Sequence, residues 1–498
     1  MRFFRVSHPC DRGTVNLPKN TWIWQRRTMA RRGRPALTGV QLDPRDAMNL
    51  YASTDQVMAS IVTACVVDTG SMNSEDMVEW FRRRTDGQPN FRRRLCRVPG
   101  DLDCPYWVDD ADFDVRNHIE VRSFSGRPGW DAVAGEIARQ LDTGLDMSRP
   151  PWGVQLITGV SEIPGVPDGA TVAIVKMHHA AVDGVGMAEL LCALLGDAPA
   201  AVAENTAGAV PEGARRVTRA LVRLPLNIGR LISAGAASLA ASRMLKGEVA
   251  RGEIRLCDGN RPRTRFNTAV TPDTVVEVVD FDLGAVRELK SSVDGATVND
   301  VVMTVIAGAL AEYLAAAGEV PPASLAATVP FSTRGIRESN SANQLSMSRI
   351  DLCTHEPAPI ARLNGIRAST RDAKQRQRSA ATERAGKLEH AIPPWLVRTL
   401  IAVSPPPPAP SSGKPVSANT TISNVPFGPA NLSMFGAPVV NMFMLSPVLP
   451  GFGLIHFVSS YGNRLTISVI VERSMMPDPA DYAKLLRRSL DELVSATR

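Results

Sequence analysis

Between residues about 40 and 200 the chain alternates strand-like and helix-like segments, which is typical of a mixed α/β unit. The apolar run at 171–177 (TVAIVKM) predicts a buried strand. Gly184 and Gly186 then break this pattern, and apolar residues between 187 and 195 recur at the spacing of one helix face. The sequence therefore predicts a strand, a tight polar loop and a helix in succession.

The second half of the chain repeats this mixture of elements. Residues 275–281 (VVEVVDF) and 465–471 predict strands. Thr297 and Asp300 have the spacing of a capping box, and the residues after them form a broad apolar helix stripe. Asp478 precedes a proline and predicts the start of a last helix.

The segment between these halves has a different composition. Residues 214–246 contain seven Lys or Arg and no acid, and their apolar residues lie near one helical stripe. Pro225 is expected to start or kink a helix there. Two interpretations stay open: a basic amphipathic helix on a membrane or lipid droplet, or a solvated crossover that packs one face on the body.

A chain of 498 residues exceeds the length at which one hydrophobic core keeps growing, so we expect separate lobes. The predicted divisions are a basic, disordered N-terminal extension at 1–36, a first lobe at 37–204, a basic helical crossover at 205–264 and a second lobe at 265–498.

Charge and cysteine content exclude several classes of protein. Residues 1–34 carry a net charge of +8 and the whole chain +6, so the body is about −2 and nucleic acid is a poor partner. The basic tail is interpreted either as a disordered extension, with Met29 as the true start, or as a membrane-surface arm. The seven scattered cysteines form no CxxC pair, which argues against disulfides and structural zinc and suits a reducing cytoplasm.

The sharpest candidate for chemistry is the cluster of His178, His179 and Asp183 in the predicted loop. A neutral imidazole at a strand end can take a proton from a hydroxyl, because its ordinary pKa lies near 6.5. Asp183 is a candidate for an ion pair that holds the loop, and Gly184 for a backbone conformation that larger residues cannot adopt. A metal site is disfavoured, because no third or fourth ligand lies nearby in the sequence. From these residues alone, a purely structural role for the cluster is as well supported as a catalytic one.

HHAAVDG at 178–184 matches the HHxxxDG motif of the wax ester synthase/diacylglycerol acyltransferase family of actinobacteria. Further segments resemble family motifs in the same order, over about residues 40–495: LDPRDAMNLY at 42–51, the stretch 91–119, SRPPW at 148–152, TVNDVV at 297–302, VPFSTR at 329–334 and ISNVPFGP at 422–429. An ordered series of this kind is far more specific than a lone HxxxD.

The resemblance implies an α/β chain with two lobes of the chloramphenicol acetyltransferase-like fold and a tunnel between them. It also implies that His179 is the catalytic base, with His178 and Gly184 in support. Asp183 is then structural and points away from the substrates. It implies no cofactor and no metal, since acyl-CoA is a substrate.

The same resemblance implies that Asn299 lines the site or supports it from the second lobe. Ser423 and Asn424 are candidates to stabilise an oxyanion, and a simple turn is the alternative. Arg334 is a candidate partner for a carboxylate, with Asp183 as one possibility.

This sequence departs from the family pattern in two places. Residues 55–58 (DQVM) replace a Pro-Met-His segment, which leaves the contacts of the first strand uncertain. Phe427 is inserted into the SNVPGP pattern, so a differently shaped loop is expected there.

The function implied is transfer of a long-chain acyl group from CoA to diacylglycerol, or to a fatty alcohol to give a wax ester. A relative that uses another acceptor or a carrier-bound acyl group is an alternative, as is a non-catalytic lipid-binding or droplet-coating protein. No segment is predicted to span a membrane, so we expect a cytoplasmic protein attached peripherally to the inner membrane or to lipid droplets.

Overall fold

The computed structural model describes residues 38–53, 58–69, 72–122, 124, 126–196, 208–257, 259–334, 341–404 and 413–498. The predicted N-terminal extension, including Met29, and residues 55–57 of the departing segment lie outside the described residues.

The strands are β1 (Thr38–Gln41), β2 (Ser60–Val67), β3 (Arg93–Cys96), β4 (Tyr106–Asp109), β5 (Ile119–Arg122), β6 (Trp152–Val160), β7 (Ala170–His178), β8 (Gly208–Ala209), β9 (Thr274–Asp282), β10 (Ala326–Ser332), β11 (Leu345–Asp351), β12 (Thr420–Gly428), β13 (Ser433–Met434), β14 (Ala437–Leu445), β15 (Leu454–Tyr461) and β16 (Arg464–Glu472).

The helices are α1 (Pro44–Ala52), α2 (Ser74–Thr85), α3 (Pro89–Arg92), α4 (Trp130–Asp142), α5 (Gly184–Leu195), α6 (Gly213–Ala250), α7 (Leu283–Ser292), α8 (Val298–Ala316), α9 (Pro359–Gln377), α10 (Ala380–Gly386), α11 (Pro394–Val403) and α12 (Pro479–Ala496).

The first large sheet has the strand order β13-β14-β2-β7-β6-β5. β2 and β7 pair antiparallel in its centre, and every residue of both strands is buried. A strand covered on both faces has no polar alternation, which is why 171–177 is a continuous apolar run. The predicted strand at 171–177 and the helix after it are confirmed as β7 and α5.

The second large sheet has the order β11-β10-β12-β15-β16-β9. β12 lies parallel to both β10 and β15, while the other neighbours pair antiparallel. The predicted strands at 275–281 and 465–471 are confirmed as β9 and β16. Helix α8 is also confirmed, with the capping box of Thr297 and Asp300 present in both directions.

The two large sheets are connected by β14. This strand comes from the C-terminal half of the chain, yet it pairs antiparallel with β2 of the first sheet. The backbone N–H of Met444 in β14 donates to Ser459 Oγ of β15 in the second sheet, at 3.0 Å. Residues 37–498 form one compact unit, in which β14 joins the two halves of the chain. The proposed lobe boundaries at 204 and 264 stay a prediction.

Helix α6 is the basic segment of the sequence, and it is continuous over 38 residues. It does not begin at Pro225, as one of our expectations had it. Pro225 lies inside the helix, because the residues before it already form helical turns from Gly213 onward. By length and composition α8 is apolar enough to cross a membrane, but most of it is buried in the second core of the protein.

Candidate active site

The loop between β7 and α5 carries the histidines and the aspartate. His178 is the last residue of β7, and Asp183 is the N-cap of α5, where its carboxylate accepts from the Gly186 N–H at 2.8 Å. An N-cap carboxylate satisfies a free backbone donor and interacts favourably with the positive end of the helix dipole. The helix start therefore positions Asp183, and the strand end positions the two histidines.

His179 is held through its backbone from two sides. Its N–H donates to the Ala59 carbonyl oxygen at 2.8 Å, just before β2. Its carbonyl oxygen accepts from Asn343 Nδ2 at 2.9 Å, two residues before β11. Residues preceding strands of both large sheets thus fix the position of the histidine, while its side chain remains partly exposed.

The His179 imidazole has the chemistry of a base. Burial lowers its pKa below the ordinary 6.5, and the nearby carbonyl oxygen of His179 itself and the carboxylate of Asp183 only partly oppose this shift. The ring is therefore neutral at pH 7. Nδ1 is buried, so Nε2 is the ring nitrogen that a substrate can reach. A proton on Nδ1, facing the residue's own carbonyl oxygen, leaves the Nε2 lone pair free to accept a proton.

His178 is occupied by protein contacts. Its Nδ1 accepts from the Ala180 N–H at 3.0 Å, which places the ring proton on Nε2, 3.2 Å from Ser53 Oγ. Burial, reinforced by the neighbouring His179, lowers the pKa of His178 to about 3. Both ring nitrogens are engaged within the protein, so His178 supports the loop and has no lone pair available for a substrate.

Asp183 is fully buried and ties the loop to the second half of the chain. Arg334 donates to both carboxylate oxygens, at 2.7 and 3.0 Å, which is the forked geometry of a strong ion pair. The Gln344 N–H also donates to Asp183 Oδ2, at 2.9 Å. The predicted pairing of Arg334 with Asp183 is confirmed. With its carboxylate saturated in this way, Asp183 is an anchor.

A second buried carboxylate, Asp46 of α1, holds the same segment. It accepts from Ser341 Oγ at 2.7 Å, from the Ala342 N–H at 2.9 Å and from Asn343 Nδ2 at 2.8 Å. The Asn343 amide therefore bridges the Asp46 carboxylate and the His179 carbonyl. Sequence analysis missed both residues. Asp46 lies in the LDPRDAMNLY motif, which was the available signal, whereas the SAN stretch at 341–343 offered none.

Gly184 differs from the expectation. It does not adopt a positive φ, so conformational freedom is not what requires glycine there. The reason is space: a Cβ at this position would lie 3.1 Å from Val425 Cγ2 of β12. The first turn of α5 packs directly against the second sheet, so a larger residue at this position would require Val425 to move.

The second-sheet candidates are brought together in part. Asn424 Nδ2 of β12 donates to Asn299 Oδ1 of α8 at 2.7 Å, and Ser423 beside it is buried. Within the described part of the chain, no hydrogen bond joins the pair of asparagines to the His179 ring.

The inserted Phe427 is accommodated as a bulge, because Pro426 pairs with Ser460 and Gly428 with Tyr461. The expectation that this segment differs in shape from that of the family stays a prediction.

No group of three or more His, Cys, Asp or Glu side chains in the described ranges is arranged to hold a metal ion.

Comparison with known proteins adds to this geometry. Residues 42–302 match the model of the wax ester synthase/diacylglycerol acyltransferase catalytic domain, and residues 341–494 match that family's C-terminal domain. An inferred diacylglycerol O-acyltransferase of Mycobacterium tuberculosis is 31% identical over 415 residues, 82% of this chain and 88% of its own. Another from the same organism is 28% identical over 478 residues, 92% of this chain and 90% of its own.

Solved structures show the same architecture. The wax ester synthase/diacylglycerol acyltransferase of Marinobacter aquaeolei VT8 superposes with a TM-score of 0.63 at 22% identity, over 92% of this chain and all of the other. A trichothecene 15-O-acetyltransferase of Fusarium sporotrichioides gives 0.56 at 12% identity, over 92% of this chain and 95% of the other. The predicted two-lobed, chloramphenicol acetyltransferase-like fold is confirmed.

Proposed function

Because the chain belongs to the wax ester synthase/diacylglycerol acyltransferase family and is an acyltransferase, we propose that it esterifies diacylglycerol with long-chain acyl groups from CoA. Long-chain alcohols are the second acceptor class in this proposal, with wax esters as products. The observation that carries it is the His179 ring, which is neutral, partly exposed and held through its backbone by residues that precede strands of both large sheets. The diacylglycerol O-acyltransferase names of the mycobacterial relatives support the choice of acceptor.

In the proposed reaction, His179 Nε2 takes the proton of the acceptor hydroxyl as its oxygen attacks the thioester carbonyl. The C–S bond of the tetrahedral intermediate then breaks, and the proton on the imidazolium passes to the leaving CoA thiolate. No covalent intermediate on the protein is needed, because both substrates react while bound side by side. Ser423 and the Asn424 amide are the proposed donors to the oxyanion.

The proposal is tested with purified full-length protein and labelled palmitoyl-CoA, using diolein and hexadecanol as acceptors in parallel. Labelled triacylglycerol or wax ester supports it. An arm with a palmitoyl-acyl carrier protein separates a carrier-dependent enzyme from a CoA-dependent one. Binding of either lipid without transfer from either donor would overturn the proposal in favour of a non-catalytic lipid-binding protein.

The pH dependence of the reaction follows from the state of His179. Only the neutral ring can accept a proton, and burial puts its pKa below 6.5. We expect kcat/KM to be highest near pH 8 and to decline on acidification with a midpoint below pH 6.5, as the ring becomes protonated. A decline already centred above pH 7 would contradict this assignment.

This pH profile needs a stability control. Burial lowers the pKa of both His178 and His456 to about 3, so neither takes up a proton in the folded state until the pH is very low. The unfolded chain binds those protons near pH 6.5, so each histidine removes about 1.4 kcal/mol of stability per pH unit below that value. Circular dichroism at each pH therefore separates loss of the base from unfolding.

We also propose that α6 binds the surface of an anionic membrane or lipid droplet. Only three of its residues, all alanines, are buried. Leu221, Ile228, Ile232 and Leu239 are spaced seven, four and seven residues apart, which places them on one stripe, and all four are exposed. Seven basic residues and no acid lie within 214–246. An exposed apolar stripe with basic flanks is the pattern of an interfacial helix.

The test of this surface is the double variant Ile232→Ser and Leu239→Ser, at positions where 67% and 65% of the residue is exposed. Each lost apolar contact with lipid is expected to cost about 1.5 kcal/mol or more, so binding to phosphatidylserine-containing liposomes should fall at least about tenfold. Turnover on detergent-dispersed substrate should not change.

Val320→Ser is the matched control, because Val320 is 74% exposed and lies outside α6. It should sediment with liposomes as the wild type does. Equal sedimentation of the double variant and the control would show that α6 is a solvated crossover, the other interpretation of its sequence.

A further inference from the structure

A cavity of about 350 Å³ lies at the outer edge of the second sheet, away from the histidine loop. Its walls come from residues 255–257 and Arg261, from the edge strand β11 and from α9. Four arginines line it: Arg255, Arg261, Arg349 and Arg376. A second cavity of about 420 Å³ shares Arg349 and Arg376 and is lined by hydroxyl groups, among them those of Ser242, Ser346 and Ser417. The two cavities together form a groove along β11 with a basic centre.

Three of these arginines lack an acidic partner within the described ranges: Arg255, which is exposed, and the half-buried Arg349 and Arg376. Arg261 pairs with Asp351 at 2.9 Å, and that carboxylate also accepts from Ser324 Oγ at 2.6 Å. Arg349 and Arg376, in contrast, make no ion pair with any described side chain. Arg349 and Arg376 are half-buried, and like charges held close together repel each other, so a bound anion between them would be favourable.

The geometry of the pair is consistent with a missing anion. Arg349 Nε is buried without a hydrogen-bond partner, although a guanidinium has five donors that are normally satisfied. Arg376 Nη2 reaches only the neutral Ser348 Oγ, at 3.1 Å. Burial and the adjacent charge of Arg349 together lower the pKa of Arg376. Asp372 also lines the cavity, and its carboxylate lies 3.9 Å from the exposed Arg371.

β11 connects this groove to the proposed active site. The strand begins at Leu345, directly after Gln344, whose N–H donates to Asp183. Arg349 lies five residues beyond Gln344 on an extended strand, which corresponds to about 17 Å at about 3.3 Å per residue. In acyl-CoA the thioester is separated from the phosphates by the long pantetheine arm. A phosphate site about this far along β11 from the segment that holds the histidine loop suits that substrate.

We propose that Arg349 and Arg376 bind phosphate groups of coenzyme A, and that the hydroxyl-lined cavity beside them takes the polar part of the same molecule. The inference rests on the proposed acyl-CoA chemistry and assigns a position on this chain to its charged end. Guanidinium groups bind phosphate oxygens through paired N–H donors, which explains why arginine occupies both positions. The two arginines act in substrate binding and are too far along β11 to take part in the transfer itself.

The test uses Arg349→Gln, Arg376→Gln and the double variant of the full chain. Loss of a charge-assisted hydrogen bond to phosphate is expected to raise KM for palmitoyl-CoA about 10- to 100-fold per arginine, with kcat within about threefold of wild type. Arg371→Gln is the matched control, since its side chain belongs to the same helix and is 73% exposed outside both cavities. It should leave KM unchanged.

A direct binding experiment keeps this inference separate from the proposed function. Adenosine 3′,5′-bisphosphate, titrated calorimetrically, should bind to the wild type and the Arg371→Gln variant and not to the double variant. Binding of this kind by a protein that transfers no acyl group would uphold the phosphate site and overturn the proposed function. Normal transfer with an unchanged KM in the double variant would overturn the site alone.

Two further arms identify the source of the phosphate. If the 3′-phosphate is the group that the arginines bind, the wild type should bind the thioester of dephospho-CoA more weakly than that of CoA. The double variant should show little difference between the two thioesters. Phosphatidic acid vesicles test the other possible source of phosphate, a lipid headgroup. If they bind to the arginines while adenosine 3′,5′-bisphosphate does not compete, the site takes a lipid headgroup and the assignment to CoA is wrong.

Discussion

Replacement of His179 by alanine is expected to reduce acyl transfer about 10²- to 10⁴-fold while the protein stays folded. Of the two imidazoles in the loop, that of His179 has the nitrogen lone pair available for a substrate, because both nitrogens of His178 are engaged by Ala180 and Ser53. The alanine variant keeps the backbone bonds of residue 179 to Ala59 and Asn343, so the loop should retain its course. The measurement is kcat with saturating palmitoyl-CoA and diolein, together with the melting temperature.

His178→Ala is the control for this prediction. It removes a buried ring of the same chemistry from the same loop, so it reports on the cost of losing a supporting contact. We expect it to lower the melting temperature and to reduce kcat far less than His179→Ala does. Activity of His179→Ala within threefold of the wild type would show that another group is the base. Equal losses in both variants would indicate that the two histidines act together.

Asp183→Ala is expected to lower the free energy of unfolding by about 3 kcal/mol, the lower end of the range for breaking a buried pair, because Arg334 keeps partial contact with water. The substitution leaves Arg334 without its partner, and it also removes the acceptor of the Gly186 and Gln344 N–H groups. We expect a lower denaturation midpoint and increased aggregation. Urea unfolding followed by fluorescence measures the change.

A double-mutant cycle with Arg334→Met distinguishes an anchor from a catalytic group. If Asp183 acts through Arg334, the double variant should be no less stable than Asp183→Ala alone, because no unpaired charge remains. Activity per folded molecule should be restored in part along with stability. An Asp183→Ala protein of unchanged stability that has no activity would instead place the carboxylate in the reaction.

Asp46 and Asp183 together explain how the histidine loop is held. Both carboxylates are buried, and both accept backbone N–H groups from the same short segment at 341–344. Asp46 belongs to α1 and Asp183 to α5, so the segment that leads into β11 is fixed at two points of the first half of the chain. Through Asn343 it fixes the His179 carbonyl in turn. The position of the proposed base thus depends on long-range contacts as well as on its own loop.

Local patterns in the sequence determined the elements that carry the site. The apolar run at 171–177, the glycines after it and the leucine spacing beyond them predicted β7, the loop and α5, because burial and helical periodicity act over neighbouring residues. The capping box of α8 is equally local and formed as predicted. The ordered motifs identified the family and the fold, and the HHAAVDG segment pointed to His179.

Only the tertiary structure decided which distant residues meet there. Asn343 and Asp46 are almost 300 residues apart, and no local pattern records a hydrogen bond between them. Gly184 illustrates the same limit: its sequence context suggested backbone freedom, whereas the close approach of β12 is what leaves little space for a side chain. The pairing of β14 with β2 in the first sheet likewise joins distant parts of the chain. Such contacts depend on how complete elements pack, and packing is a property of the whole fold.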